Sequence, residues 1–194
     1  MGMLSRRLFL NALIAVGVSL MPRSLRAQAG SFLTLDEAPH AVFPEGTSVE
    51  QRRVSSTPQL REAVTAELGP TKPSLWESEY VLFTIRKDEH LLGYAVIVEE
   101  IGKHRPITFV VGVRPDGEVQ DVALMVYREP YGGEVRYPRF LAQYRGKDLM
   151  APLLPFRDVR NITGATLSAE AIGRGVRKAL AFLKALSLVR GKTP

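Results

Sequence analysis

Between Tyr80 and Tyr127 the chain carries four apolar-rich runs separated by short polar breaks: Tyr80–Ile85, Leu91–Val98, Ile107–Val113 and Val119–Tyr127. Runs of this length, rich in β-branched and aromatic residues, predict strands. The breaks at Lys87–His90 and Asp116-Gly117 are short enough for hairpins, so antiparallel pairing is expected. Helical spacing appears on either side. Ser56-Thr57-Pro58 opens a helix to about Leu68, with Pro at the first helical position, an apolar stripe of Leu60, Val64 and Leu68, and Gly69 after the end. From Ser168 to Leu188, the residues Ile172, Val176, Ala179, Leu180, Leu183 and Leu186 mark one face of a second helix. Arg174, Arg177, Lys178 and Lys184 take the other face or its flank. They predict a solvated basic face, one that also suits an acidic partner or anionic lipid. Residues 30–56 read as mixed and loop-like, with a short helix around 35–42. The expected fold class is α+β: a twisted, mainly antiparallel sheet packed against helices in a single domain.

The N-terminal pattern differs. Ser5-Arg6-Arg7-Leu8-Phe9-Leu10 precedes an apolar run to Met21, and Ala27-Gln28-Ala29 follows. A charged start, a moderate apolar run and an Ala-x-Ala site predict a secretory signal peptide over residues 1–29, twin-arginine in character, cut after Ala29. The same features also fit an ordinary general-secretion signal. The remaining chain divides into a loop-and-helix segment, residues 30–78, and a domain over residues 79–190. The formal charge of +6 changes meaning under this reading. Arg6, Arg7, Arg23 and Arg26 lie in residues 1–29 with no acid, which leaves 22 basic against 20 acidic residues and a balance of +2. That balance gives no support to nucleic-acid binding. Cysteine is absent, which excludes disulfides, Cys-ligated iron–sulfur clusters and c-type haem attachment. His40, His90 and His104 have no metal-ligand spacing and fall in expected loops or turns. Redox chemistry here requires an organic cofactor.

The candidate chemistry concentrates in Thr163-Gly164-Ala165-Thr166-Leu167-Ser168, immediately before and within the start of the last helix. The first turn of a helix has unpaired N–H groups and the positive end of the macrodipole, so a phosphate is stabilised there. The same residues also read as an ordinary turn and N-cap. Glu129-Pro130-Tyr131-Gly132-Gly133-Glu134 breaks the strand pattern earlier in the chain, and Phe140-Leu141-Ala142-Gln143-Tyr144-Arg145-Gly146-Lys147 reads as a short amphipathic helix with a Gly cap.

Together these motifs resemble the FMN-binding domain family, which includes the G subunit of the Rnf complex and the C subunit of the sodium-pumping NADH:quinone reductase. Thr163–Thr166 is similar to the family's (Ser/Thr)-Gly-Ala-Thr motif. Glu129–Gly133 resembles its Glu-Thr-Pro-Gly-like loop, and Phe140–Lys147 its Phe-Leu-x-Gln-Phe-x-Gly-Lys stretch. The elements occur in the family's order from about Tyr80 to Leu186. One position departs: where the family has Asp three residues before the first Ser/Thr, this chain has Arg160, with Asp158 two residues earlier.

The resemblance implies FMN lying between the Glu129–Gly133 loop and the start of the last helix, bound covalently through its phosphate to Thr166 by a dedicated FMN transferase. It implies Thr163 and Gly164 as the shape of the turn, and Ala165, Leu167 and Ser168 beside the phosphate. Glu129, Tyr131, Gly132 and Gly133 would lie along the flavin; Tyr131 suits stacking on the ring, and a loop Tyr also reads as simply half buried. The function implied is electron transfer outside the cytoplasm, in the periplasm or at a membrane, between redox partner proteins rather than by a self-contained enzyme. No Gly-x-Ser-x-Gly, His-Glu-x-x-His or Walker pattern is present. The alternative is a secreted, non-redox binding or assembly factor on the same fold.

Overall fold

A computed structural model describes residues 30–190, so the expected signal segment lies outside the described residues. The elements run α1 (Ala38–Val42), β1 (Ser48–Ser55), α2 (Pro58–Leu68), β2 (Glu79–Lys87), β3 (His90–Ile101), β4 (Pro106–Val113) and β5 (Val119–Tyr127). A 3-10 turn (Gly133–Arg136), α3 (Pro138–Leu141), a second 3-10 turn (Ala142–Tyr144) and α4 (Thr166–Ala185) complete the chain. The strands form one five-stranded antiparallel meander in the order β1-β2-β3-β4-β5. The α+β architecture expected from the pattern is the one observed.

Both faces of the sheet are covered, which is why its strands read as near-continuous apolar runs rather than as alternation. On one face Leu82, Val96, Phe109, Val111 and Leu124 pack with Val64 and Leu68 of α2 and Ile172, Val176, Leu180 and Leu183 of α4. On the other, Phe83, Ile85, Ala95, Val110 and Met125 pack with Ala38, Val42 and Phe43 in and after α1. The start of α2 forms as its sequence predicts, with Thr57 Oγ1 accepting from the Leu60 N–H at 3.2 Å.

Three expectations are corrected. Residues 48–55 are an edge strand, not loop. Only Val49 and Val54 are shielded from solvent along β1, so no apolar alternation announces it. It is held by backbone pairing to β2 from Ser48↔Arg86 to Ser55↔Glu79, and its polar, charged side chains suit an exposed sheet edge. The basic face of the last helix is not solvated. Lys178 is 0% exposed, and its Nζ lies 2.9 Å from Glu77 Oε1, 3.0 Å from Glu100 Oε1 and 2.7 Å from the Glu99 carbonyl. Arg174 donates to the Ile101 carbonyl at 2.9 Å, Arg177 to the Leu149 carbonyl at 2.9 Å, and Lys184 pairs with Glu67 at 2.8 Å. The reason is that α4 is enclosed by the sheet, α2 and the 149–153 segment. Gly173 allows part of that enclosure, since a Cβ there would stand 2.0 Å from the Leu153 carbonyl oxygen. His40 likewise lies in α1 and His90 opens β3. Among the described residues no helix is long and apolar enough to cross a membrane.

Candidate functional site

The α4 helix begins on a turn in which the Ala165 N–H donates to the Ile162 carbonyl at 2.9 Å. Gly164 adopts φ +83° there, a left-handed conformation that favours glycine. Ala165 is the N-cap residue and offers no side-chain hydrogen bond to the first turn, in contrast to Thr57 on α2. The N-cap reading of Thr163 and Ser168 therefore fails. Thr163 is exposed, and the Ser168 Oγ lies 3.1 Å from the Tyr127 hydroxyl. Thr166 is the first helical residue, and its Oγ1 accepts from Asn161 Nδ2 at 2.8 Å. Among the described residues, the Asn161 Oδ1 beside it is buried without a partner.

The loop after β5 is fastened to this helix start. The Tyr127 hydroxyl donates to the Tyr131 carbonyl at 2.6 Å as well as contacting Ser168. Burial pushes the Tyr127 phenol up, against the Ser168 hydrogen bond. Gly132 has φ +78°, and a Cβ added to it would stand 3.1 Å from the Tyr127 hydroxyl oxygen and 3.2 Å from Ala165. The loop and the turn thus meet backbone to backbone at Gly132 and Ala165. Gly133 has more room, its nearest atom lying 4.0 Å from such a Cβ. Tyr131 projects outward, 78% exposed.

Glu129 turns the other way. Its Oε1 accepts from the backbone N–H groups of His104 at 2.6 Å and Arg105 at 2.9 Å. Partial burial raises its pKa, but the backbone donors of His104, Arg105 and Lys103 outweigh that and hold the carboxyl below its ordinary value. The β3–β4 turn is therefore part of the site, which the sequence did not indicate.

A pocket of about 260 Å³ results. It brings together Glu129, Tyr131, Gly164, Ala165, Thr166, Leu167 and Ser168, and adds Lys103, His104 and Pro130. Thr163, Gly132 and Gly133 do not line it; Gly133 lines a neighbouring cleft with Phe32, Arg136 and Tyr137. No motif marks Lys103 or His104, because only the sheet register carries their turn to Glu129. Asn161 sits inside the motif's own neighbourhood and is the residue that reaches Thr166. Arg160 directs its backbone N–H to Gln143 Oε1 at 2.8 Å and exposes its side chain. Asp158 is engaged elsewhere, 2.9 Å from Lys147 Nζ and accepting from the Leu154 N–H at 3.0 Å. Burial acts to raise its pKa, but the Lys147 ion pair and the Leu153 and Leu154 backbone donors hold it below the usual value. Among the described residues no group of His, Asp and Glu is arranged to hold a metal ion.

Residues 102–181 match the family model of the FMN-binding domain. The chain is also 28% identical over 105 residues to the G subunit of the proton-translocating ferredoxin:NAD(+) oxidoreductase complex of Clostridium ljungdahlii. That match spans 50% of this chain and 57% of the relative, little more than half its length. In fold the chain resembles the crystal structure of Shewanella oneidensis NqrC, with a TM-score of 0.52 and 17% identity over 76% of this chain and 88% of that one. The family that the motifs resemble is thus the one whose model residues 102–181 match, and the chain is similar to the FMN-binding domain over that stretch.

Proposed function

We propose that this protein is an exported flavoprotein that passes electrons through FMN held by a phosphoester on Thr166. The observation that carries the reading is the start of α4: an uncapped first helical turn, with the Thr166 hydroxyl in it, opening into the pocket shared with Glu129, Pro130 and Tyr131 of the loop after β5. Free N–H groups and the helix dipole favour a phosphate there. The residues present fit the group. Gly164 and Ala165 keep the approach to Thr166 small, and Asn161 orients its hydroxyl. When bound, the isoalloxazine supplies the electron chemistry, and the protein contributes binding, orientation and field.

The relative's name describes a redox complex, which supports partner proteins that give and take electrons here, membrane-bound ones included. Maturation requires an FMN transferase, and no nucleic acid is involved. Export rests on the Arg6-Arg7 motif and Ala27-Gln28-Ala29; N-terminal sequencing of the processed protein should begin at or near Gly30, and recovery of Met1 would refute it.

Co-expression with an FMN transferase should add the mass of FMN less one water to the peptide spanning Asn161–Arg174. Thr166→Ala should abolish the adduct, Thr166→Ser should retain part of it, and Thr163→Ala should reduce it less. An unmodified peptide from the parent, made with active transferase and ample FMN, refutes the ester. One observation favours a second reading, a secreted binding or assembly factor without covalent flavin: Arg160 stands where the family has Asp, and Asp158 is tied to Lys147.

A further inference from the structure

The Glu129 carboxylate is the best-engaged acid in the site, yet the groups that donate to its Oε1 are backbone N–H groups of the β3–β4 turn. That turn, Gly102 to Arg105, is closed by the Gly102 N–H donating to the Arg105 carbonyl at 3.0 Å. It is also built to receive the carboxylate: a Cβ on Gly102 would stand 2.7 Å from Glu129 Oε1 and 3.0 Å from Ile107 Cδ1. Glu129 itself is only 9% exposed. An acid spent in this way has no lone pair directed at a ligand on that oxygen, and its effect is to fix the turn against the pocket.

The side chains that the turn carries are Lys103 and His104, both exposed and both lining the pocket that contains Thr166. Neither forms an ion pair among the described residues. The pocket is small, about 260 Å³, so the groups that line it share one space. Lys supplies three donors and a positive charge, and His supplies a donor in either protonation state. The α4 N-terminus faces the same space with its own N–H groups.

We propose that Lys103 and His104 recognise the phosphate of FMN across the pocket from Thr166, and that Glu129 is their positioning residue rather than a contact of the flavin ring. This rests on the flavin reading above. It gives the flavin-loop acid a different part: Glu129 acts through the backbone of another loop, and specificity for the phosphorylated flavin comes from a turn that no motif marks. Charge-assisted hydrogen bonds to phosphate are strong enough to change affinity by tenfold or more each.

The test compares non-covalent binding of FMN and of riboflavin, which lacks the phosphate, to the full mature chain made without transferase. Quenching of flavin fluorescence reads both. The parent should prefer FMN. Lys103→Ala/His104→Ala, at exposed turn positions, should weaken FMN by about tenfold or more while leaving riboflavin within about twofold. Glu129→Ala should show the same selective loss, because the turn is released, and Glu129→Gln should show a smaller one. Amide hydrogen exchange at His104 and Arg105 should accelerate in both Glu129 variants. Equal loss of FMN and riboflavin in the Glu129 variants would mean that Glu129 touches the ring, and overturns the assignment. Unchanged FMN binding by Lys103→Ala/His104→Ala overturns it as well. A parent that binds neither flavin overturns this inference, which needs the folded pocket to recognise free FMN, whereas the flavin reading itself stands or falls on the peptide-mass test above.

Discussion

Replacing Lys178 with Met tests how α4, the helix that presents Thr166, is held in place. The Lys178 Nζ sits between Glu77 Oε1 at 2.9 Å and Glu100 Oε1 at 3.0 Å, and donates to the carbonyls of Glu99 at 2.7 Å and Leu75 at 3.1 Å. Both Lys178 and Glu100 are 0% exposed. Removing one partner from such a cluster leaves uncompensated buried charge and costs about 3–5 kcal/mol. Two features place this site near the lower end. Glu100 keeps the Ser74 N–H at 2.9 Å and Arg174 Nε at 3.3 Å, and Glu77 keeps the Glu99 N–H at 2.8 Å. A loss of about 3 kcal/mol, with a urea slope of about 2 kcal/mol/M, moves the unfolding midpoint down by about 1.5 M. The single tryptophan, Trp76, packs on the same core beside Glu77. Its fluorescence and the far-UV circular dichroism should report one coincident transition in flavin-free protein. The double variant Lys178→Met/Glu100→Gln should recover about 1 kcal/mol or more, because one of the stranded charges is gone. A midpoint shift below about 0.5 M for Lys178→Met, or no recovery in the double variant, would refute the account of the cluster as a charge-balanced unit.

The two loop glycines should behave unequally. Gly132→Val adds a branched side chain at φ +78° against Tyr127 and Ala165, and should weaken free FMN binding by about tenfold or more without unfolding the core. Gly133→Val, with 4.0 Å of clearance, should have much the smaller effect, and equal effects on binding isotherms would dissolve the loop assignment. Glu129 and Asp158 both have carboxyls held below their ordinary values. Such groups stabilise the fold fully above their unfolded pKa values and lose that contribution as pH falls through the folded ones. The thermal midpoint should therefore drop between about pH 5 and about pH 3, less steeply in Glu129→Gln than in the parent; an identical pH profile for the two proteins would contradict the shift.

Much of the architecture was legible because it depends on local pattern. A strand buried on both faces must be apolar along its length, so the segments from Tyr80 to Tyr127 declared themselves as strands and their short breaks as hairpins. Thr57-Pro58 and Gly69 bounded a helix by the chemistry of its ends. The motif around Thr166 was visible because a turn, a hydroxyl and a helix start lie within a few residues, and Gly132 was visible as a break in the apolar pattern. What tertiary structure decided was whatever depends on a distant partner. An edge strand needs only another strand's backbone, so β1 left no apolar trace. A basic residue on a helix reads as solvated until other segments close over it, as Glu77, Glu100 and the 149–153 segment do around Lys178, Arg174 and Arg177. The turn at Lys103 and His104 became part of the pocket only because the sheet register brings its N–H groups within 2.6–2.9 Å of Glu129 Oε1, a contact 24–25 residues away in sequence that no local propensity encodes.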